Sequence, residues 1–125
     1  MNLLLDTHAL LWWLADAPAL KTDARTAISD ASNIIYVSAA SAWEISIKKA
    51  LGKLDAPNDL HAALVANHFQ PLSITILHGT SAGQLPRHHE NPFDRLLIAQ
   101  AQTEQLTVIT HDNLFPSYGI PIIGT

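Results

Sequence analysis

The stretch RHHENPFDRLLIAQAQ, residues 87–102, decides how the rest of the chain is read. It opens polar, passes through Pro92 and becomes an apolar helical run at Leu96, Leu97, Ile98, Ala99 and Ala101. Asn91 suits a helix N-cap, and Pro92 suits the first helical position, where its missing N–H leaves no bond unmade. Phe93 and Asp94 then fall in the first turn, near the positive end of the helix dipole. The run beyond them is too apolar for a surface helix, so Asp94 stands where a buried helix emerges. Two readings are open for it: a capping box, in which Asp94 reaches back to the Asn91 N–H, or a ligand at the mouth of a cleft.

Outward from that helix, strand-like and helix-like segments alternate. Residues 2–5 form a short apolar run before Asp6-Thr7 and read as a buried strand. Residues 8–15 read as a helix that Asp16-Ala17-Pro18 breaks, and residues 21–31 carry Ala24, Ala27, Ile28 and Ala31 at helical spacing. Residues 33–37 are β-branched and apolar, a second strand. Ser38 caps a helix over residues 39–51, which Gly52 stops. Residues 59–69 look helical, residues 72–76 alternate as a third strand, and residues 80–85 form a short helix. After the Asn91-capped helix, residues 107–110 make a fourth strand. His111-Asp112 and a short helical turn follow. Residues 120–123 are a last strand, which Pro121 demotes to an edge. The alternation predicts one α/β domain over residues 1–125, with helices on both faces of a mostly parallel sheet of four to five strands. Such sheets place their sites beyond the carboxyl ends of the strands.

Composition narrows the chemistry. With 125 residues there is room for one domain, and 48% hydrophobic residues exclude disorder. There is no cysteine, so a metal must be held by oxygen or imidazole. No apolar run approaches the roughly 18 residues of a membrane span, and the N-terminus lacks the basic region of a signal peptide. A cytoplasmic protein is therefore expected. The net charge of −4 argues against a simple nucleic-acid binder with a basic surface. It does not argue against an enzyme whose excess acid lies in one metal site.

Four acids fit that description. Asp6 and Asp112 each follow a strand directly, Asp94 opens the buried helix, and Glu44 shares a helical stripe with Ala40, Ile47 and Leu51. Each has an ordinary alternative. Asp6 and Asp112 are suitable helix caps, and Glu44 can pair with Lys48 one turn on, for about 0.2–0.5 kcal/mol. If the stripe is buried, such a pair is small against the several kcal/mol of desolvating a carboxylate. The joint pattern favours a cleft. Clustered carboxylates raise one another's pKa unless a cation is present, and hard oxygen ligands suit Mg²⁺ or Mn²⁺.

At this point the residues carry a resemblance. LLLDTHALLWW, SAASAWEISIKKALGKL and HHENPFDRLLIAQAQ…LTVITHDNLF resemble PIN-domain ribonucleases, and among these the VapC-type toxins of bacterial toxin–antitoxin pairs. The likeness runs from Asn2 to about Ile123, and PFDR-LLIAQA is its most specific part. It implies a PIN-like three-layer α/β/α fold and hydrolysis of an RNA phosphodiester that depends on one or two Mg²⁺ or Mn²⁺ ions. It also implies a homodimer and a cognate antitoxin that blocks the site. The family's acidic positions carry over onto Asp6, Glu44, Asp94 and Asp112. Thr110 resembles the hydroxyl residue that often accompanies the last acid. Many relatives have Asp where this chain has Asn91, which keeps the cap and removes a charge.

Other residues are weighed against this frame. His88 and His89 are adjacent and cannot both face one site on a regular element, and no HExxH motif is present. The histidines are expected in structural or solvent roles. Arg87, His88, His89, Arg95, Lys48, Lys49 and Lys53 are candidate RNA contacts, although lysines near a helix C-terminus also suit the dipole. Trp12, Trp13 and Trp43 are expected in the core or in a groove for a partner helix. Two rival readings are a receiver-like signalling domain, which needs an acidic pair after strand one where only Asp6 stands, and a PIN-like module that binds without catalysis.

Overall fold

Leu3, Leu4 and Leu5 are fully buried, and they explain the architecture. Successive strand residues point to opposite faces. Leu3 and Leu5 enter one core with Ala9, Leu10, Ala24, Ile28 and Ile109, while Leu4 enters a second core with Leu97, Ile98, Val108 and Phe115. A strand apolar on both sides must be covered on both sides. The computed structural model describes residues 1–125 and shows that arrangement.

Strand β1 (Asn2–Leu5) lies at the centre of a five-stranded sheet with β2 (Ile34–Ser38), β3 (Gln70–Leu72), β4 (Thr107–Thr110) and β5 (Ile122–Gly124). Every pairing is parallel, in the order β3-β2-β1-β4-β5. Six helices connect and cover the strands: α1 (Thr7–Leu14), α2 (Thr22–Ser29), α3 (Ala39–Ala50), α4 (Leu60–Ala66), α5 (Ile76–Gln84) and α6 (Pro92–Glu104). A single 3-10 turn spans Phe115–Tyr118. This is the α/β sheet of PIN-like form that the sequence implied. The chain works outward from β1 to one edge and then returns to its other side, so the crevice between β1 and β4 is the topological switch point. A receiver has strand order 2-1-3-4-5, and this sheet does not.

Several boundaries differ from the sequence reading: the helix read over residues 59–69 ends at Ala66 and the one over residues 21–31 ends at Ser29. The third strand is Gln70–Leu72 and not residues 72–76. The short helix expected over residues 80–85 begins at Ile76. A capping box explains these last two shifts. Thr75 Oγ1 accepts the His78 N–H at 3.1 Å, and His78 Nδ1 accepts the Thr75 N–H at 3.0 Å. That local bonding starts a helix where β-branched alternation suggested a strand. The last strand begins two residues late, at Ile122, because Pro121 contributes only its carbonyl, to the Val108 N–H. The strand is an edge, as Pro121 implied.

The loop between α5 and α6 is held by one side chain. The Arg95 guanidinium donates to the carbonyls of Ala82 and Leu85 at 2.8 Å and to those of Pro86 and His89 at 3.0 Å. The planar fork reaches four acceptors that an ammonium cannot reach together. Arg95→Lys is therefore expected to lower stability by about 2–3 kcal/mol, the scale of lost charge-assisted bonds. Urea denaturation against the wild type measures it.

Candidate functional site

The switch-point crevice brings the four acids together. It is a cleft of about 380 Å³ with no apolar side chain in its lining, and Asp6, Glu44, Asp94 and Asp112 all face it. Each arrives on a different element, and each retains some of the ordinary bonding that sequence considerations allowed.

Asp6 follows β1 and caps α1, accepting the Ala9 N–H at 2.8 Å. The cap and the cleft are thus both real. Burial pushes its carboxyl above the usual range, against the lowering influence of the Thr110 hydroxyl, the Ala9 N–H and the nearby His8 and His111. Thr110 ends β4 fully buried, and its Oγ1 also accepts the Asp112 N–H at 3.0 Å. One hydroxyl therefore lies between two of the acids.

Glu44 stands on α3, which Ser38 caps by accepting the Ala40 N–H. It is only 4% exposed. The pair with Lys48 exists, at 2.8 Å, and the Thr7 hydroxyl donates to the other carboxylate oxygen at 2.6 Å. The pairing does not replace the cleft position, since Lys48 itself faces the cleft.

Asp94 lies in the first turn of α6. Asn91 Oδ1 accepts the N–H groups of Phe93 and Asp94, at 2.9 and 3.3 Å, and Pro92 begins the helix. Asn91 is the sole cap, and Asp94 makes no bond back to it. The Asp94 carboxyl is pushed up to about 6, first by burial, then by the charge of Glu44, with Asp6 and Asp112 adding and His89 opposing.

Asp112 accepts the Leu114 N–H at 2.9 Å on Oδ1 and lies 2.7 Å from His89 Nε2 on Oδ2. Partial burial opposes its ionisation. The bonds to His89 and Leu114 and the nearby imidazoles outweigh burial and hold its carboxyl below the usual range.

His89 joins the acids at the cleft, where sequence reasoning had not placed it. The His88-His89 pair is split: His88 is exposed, edge-on to Tyr118 at 5.0 Å, while His89 is buried between Phe115 and Tyr118. Adjacency ruled out two ligands at one site but never ruled out one. His89, Asp94 and Asp112 present ligand atoms within 4.8 Å of one another. The other expected RNA contacts divide. Arg87 and Lys53 are exposed, while Lys48 is tied to Glu44 and Lys49 to the Ala56–Asn58 loop. Arg95 is spent on backbone carbonyls and does not reach the cleft surface.

The donor set suits a hard divalent cation. It consists of carboxylates with one imidazole nearby, and Asp94 carries a raised pKa, first from burial and then from the charge of Glu44. His89, Asp94 and Asp112 present atoms close enough together to share one ion, and Asp6 and Glu44 face the same cleft.

The PIN domain family model matches residues 3–121. The chain belongs to the PIN domain family. No curated protein matches it. Among solved structures, this PIN domain is similar to VapBC2 from Rickettsia felis bound to a DNA fragment from their promoter, with TM-score 0.71 and 14% identity over 99% of this chain and 98% of that one. It is also similar to DNA-bound VapBC from Salmonella typhimurium, with TM-score 0.69 and 18% identity over 99% and 98% of the two chains. A toxin–antitoxin complex from Klebsiella pneumoniae gives TM-score 0.66 and 18% identity over 96% and 94%. At such identities the likeness concerns the fold.

The raised carboxyl of Asp94 has a measurable signature. A carboxyl raised from 3.8 to about 6 on folding costs progressively less stability below pH 4 and none once it is protonated in both states. The cost grows between pH 4 and 6 and is complete above. In metal-free protein Asp94→Asn is therefore expected to stabilise the fold above pH 6 by about 1–2 kcal/mol, allowing for solvent screening, and to change little at pH 3.5. Thermal unfolding of both proteins across pH checks this.

Proposed function

We propose that this PIN domain is a metal-dependent endoribonuclease and the toxin of a VapC-type toxin–antitoxin pair. The convergence of Asp6, Glu44, Asp94 and Asp112 on one polar cleft carries the reading. Burial in that cleft raises the carboxyls of Asp6 and Asp94, and hydrolysis of a phosphodiester is a reaction that uses clustered carboxylates. Asp6, Asp94, Asp112 and Glu44 would hold one or two Mg²⁺ or Mn²⁺ ions, which when bound activate water and stabilise negative charge on a phosphate. The chain's own residues orient the acids. Thr7 and Lys48 fix both oxygens of Glu44, His89 and the Leu114 N–H fix Asp112, and the Asn91 cap fixes the turn that carries Asp94. Glu44, so held, is placed to orient an attacking water.

The partners follow from the same reading. The similar structures named above are VapBC and toxin–antitoxin assemblies, which supports an antitoxin as regulator. A homodimer is supported by Ile76 and Leu77, which are 86% and 58% exposed at the start of α5. No helix is long and apolar enough to cross a membrane, and a cytoplasmic location suits an RNA substrate.

The test is cleavage of single-stranded RNA with Mg²⁺ or Mn²⁺. Asp94→Asn and Asp6→Asn are expected to lose at least about two orders of magnitude in kcat, the scale of removing one group that stabilises transition-state charge. Calorimetry with Mn²⁺ should show uptake by the wild type and weaker uptake by both variants. Wild-type cleavage by Asp94→Asn, or no carboxylate-dependent uptake of Mn²⁺, overturns the reading. His89→Ala should weaken Mn²⁺ binding about 10- to 100-fold, as expected for loss of a partner that orients a ligand.

A further inference from the structure

The chain has seven Lys and Arg residues, and four of them are committed within the fold. Arg25 bonds Asp16 and the carbonyls of Ala17 and Leu20, Lys48 bonds Glu44, Lys49 bonds the loop at Ala56–Asn58, and Arg95 bonds four carbonyls. Only Lys21, Lys53 and Arg87 stand exposed without such bonds. A polyanion bound beside an acidic cleft normally relies on many phosphate contacts. This surface offers few, so affinity for a single strand must come from elsewhere. Base stacking on aromatic rings is the other general source.

One ring cluster is placed to supply it. His8 on α1 and His111 after β4 are exposed and line the cleft. Their ring centroids are 5.5 Å apart, and Trp12 meets both, at 5.9 Å from His8 and 4.9 Å from His111. Trp13 Nε1, by contrast, is satisfied by Asn67 at 2.9 Å and its ring packs on Phe69. Both tryptophans pack on the core, and Trp12 additionally meets the two cleft imidazoles. His8 is two residues from Asp6, and His111 is next to Asp112. The cluster therefore borders the carboxylates on the side of β1 and β4. Exposed His8 and His111 at the mouth of the cleft, backed by half-buried Trp12, make an aromatic cluster beside the carboxylates.

We propose that His8, Trp12 and His111 form a base-stacking subsite that seats one nucleobase of single-stranded RNA beside the carboxylate cleft. This rests on the nuclease reading for the identity of the ligand, and it makes the rim the main source of RNA affinity. Stacking tolerates any base, because every base has a π face. The subsite positions the strand and leaves sequence choice to other contacts.

The experiment measures binding apart from cleavage. The probe is a short single-stranded RNA with one 2-aminopurine, and the protein is the full chain carrying Asp94→Asn. The 2-aminopurine fluorescence should fall on binding, as a stacked base requires. Adding His111→Ala or Trp12→Ala should weaken binding about five- to hundredfold, the range of one lost base–aromatic stack. His111→Phe should retain most of the affinity. The slope of log K against log salt should be no steeper than about −2, as three phosphate contacts allow. Trp12 packs partly on the core, so its variant is compared at matched thermal stability, and the exposed His8 and His111 variants decide the matter. Unchanged binding in His8→Ala and His111→Ala overturns the proposal, as does equal weakness of His111→Phe and His111→Ala. Absence of RNA binding by the Asp94→Asn protein overturns it too. Undiminished cleavage by Asp94→Asn would strike the nuclease assignment alone, since the stacking readout does not depend on it.

Discussion

The convergence of four carboxylates on one rim of a rigid parallel sheet is the constraint around which the molecule is built. Asp6 and Thr110 lie at the ends of adjacent parallel strands, and the Asp6 N–H bonds the Ile109 carbonyl at 3.1 Å. That pairing fixes the spacing between the first acid and the segment bearing Asp112. The helix after β2 brings in Glu44, and the Asn91 cap aims the start of α6 into the same crevice. None of these carboxylates can retreat without undoing a strand pairing or a cap. The fold therefore tolerates a raised Asp94 carboxyl in place of relaxing it.

The bonds around the acids are graded accordingly. Glu44 has a full cationic partner in Lys48, and Asp112 has His89 and a backbone N–H. Asp6 has an N-cap bond and a hydroxyl neighbour. Asp94 has the fewest bonds of the four, and burial with the nearby Glu44 raises its carboxyl.

Much of this was legible in the residue order, because it depends on short-range chemistry. Asn91-Pro92 announces the start of α6, Ser38 announces α3, and the unbroken apolar run at residues 2–5 requires cover on both faces. The acids were visible as a set because three follow a strand or open a helix and Glu44 sits on an otherwise apolar helical stripe. What was hidden depended on long-range contact. The Arg95 guanidinium looks like a free cation until the loop of residues 85–91 is seen folding over it. His89 looks like half of a solvent-facing pair until Phe115 and Tyr118, more than twenty residues away, enclose it. At residues 72–76 a local signal misled, since alternating β-branched residues resemble a strand while Thr75 and His78 close a helical cap. Trp12 and Trp13 lie side by side in sequence, and nothing local reveals that one ring meets His111 and the other Asn67.

The central strand has a final consequence. Leu3 and Leu5 feed one core and Leu4 the other, and Asp6 is the very next residue. Because side chains alternate along a strand, a slip of one position would exchange the contents of the two cores and swing the carboxylate out of the crevice. Misregistration at β1 would empty the cleft of Asp6 and unfold the protein in the same event. Fraying at the outer strands β3 and β5 would leave Asp6 where it stands. Loosening of the periphery and loss of the cleft are thereby decoupled.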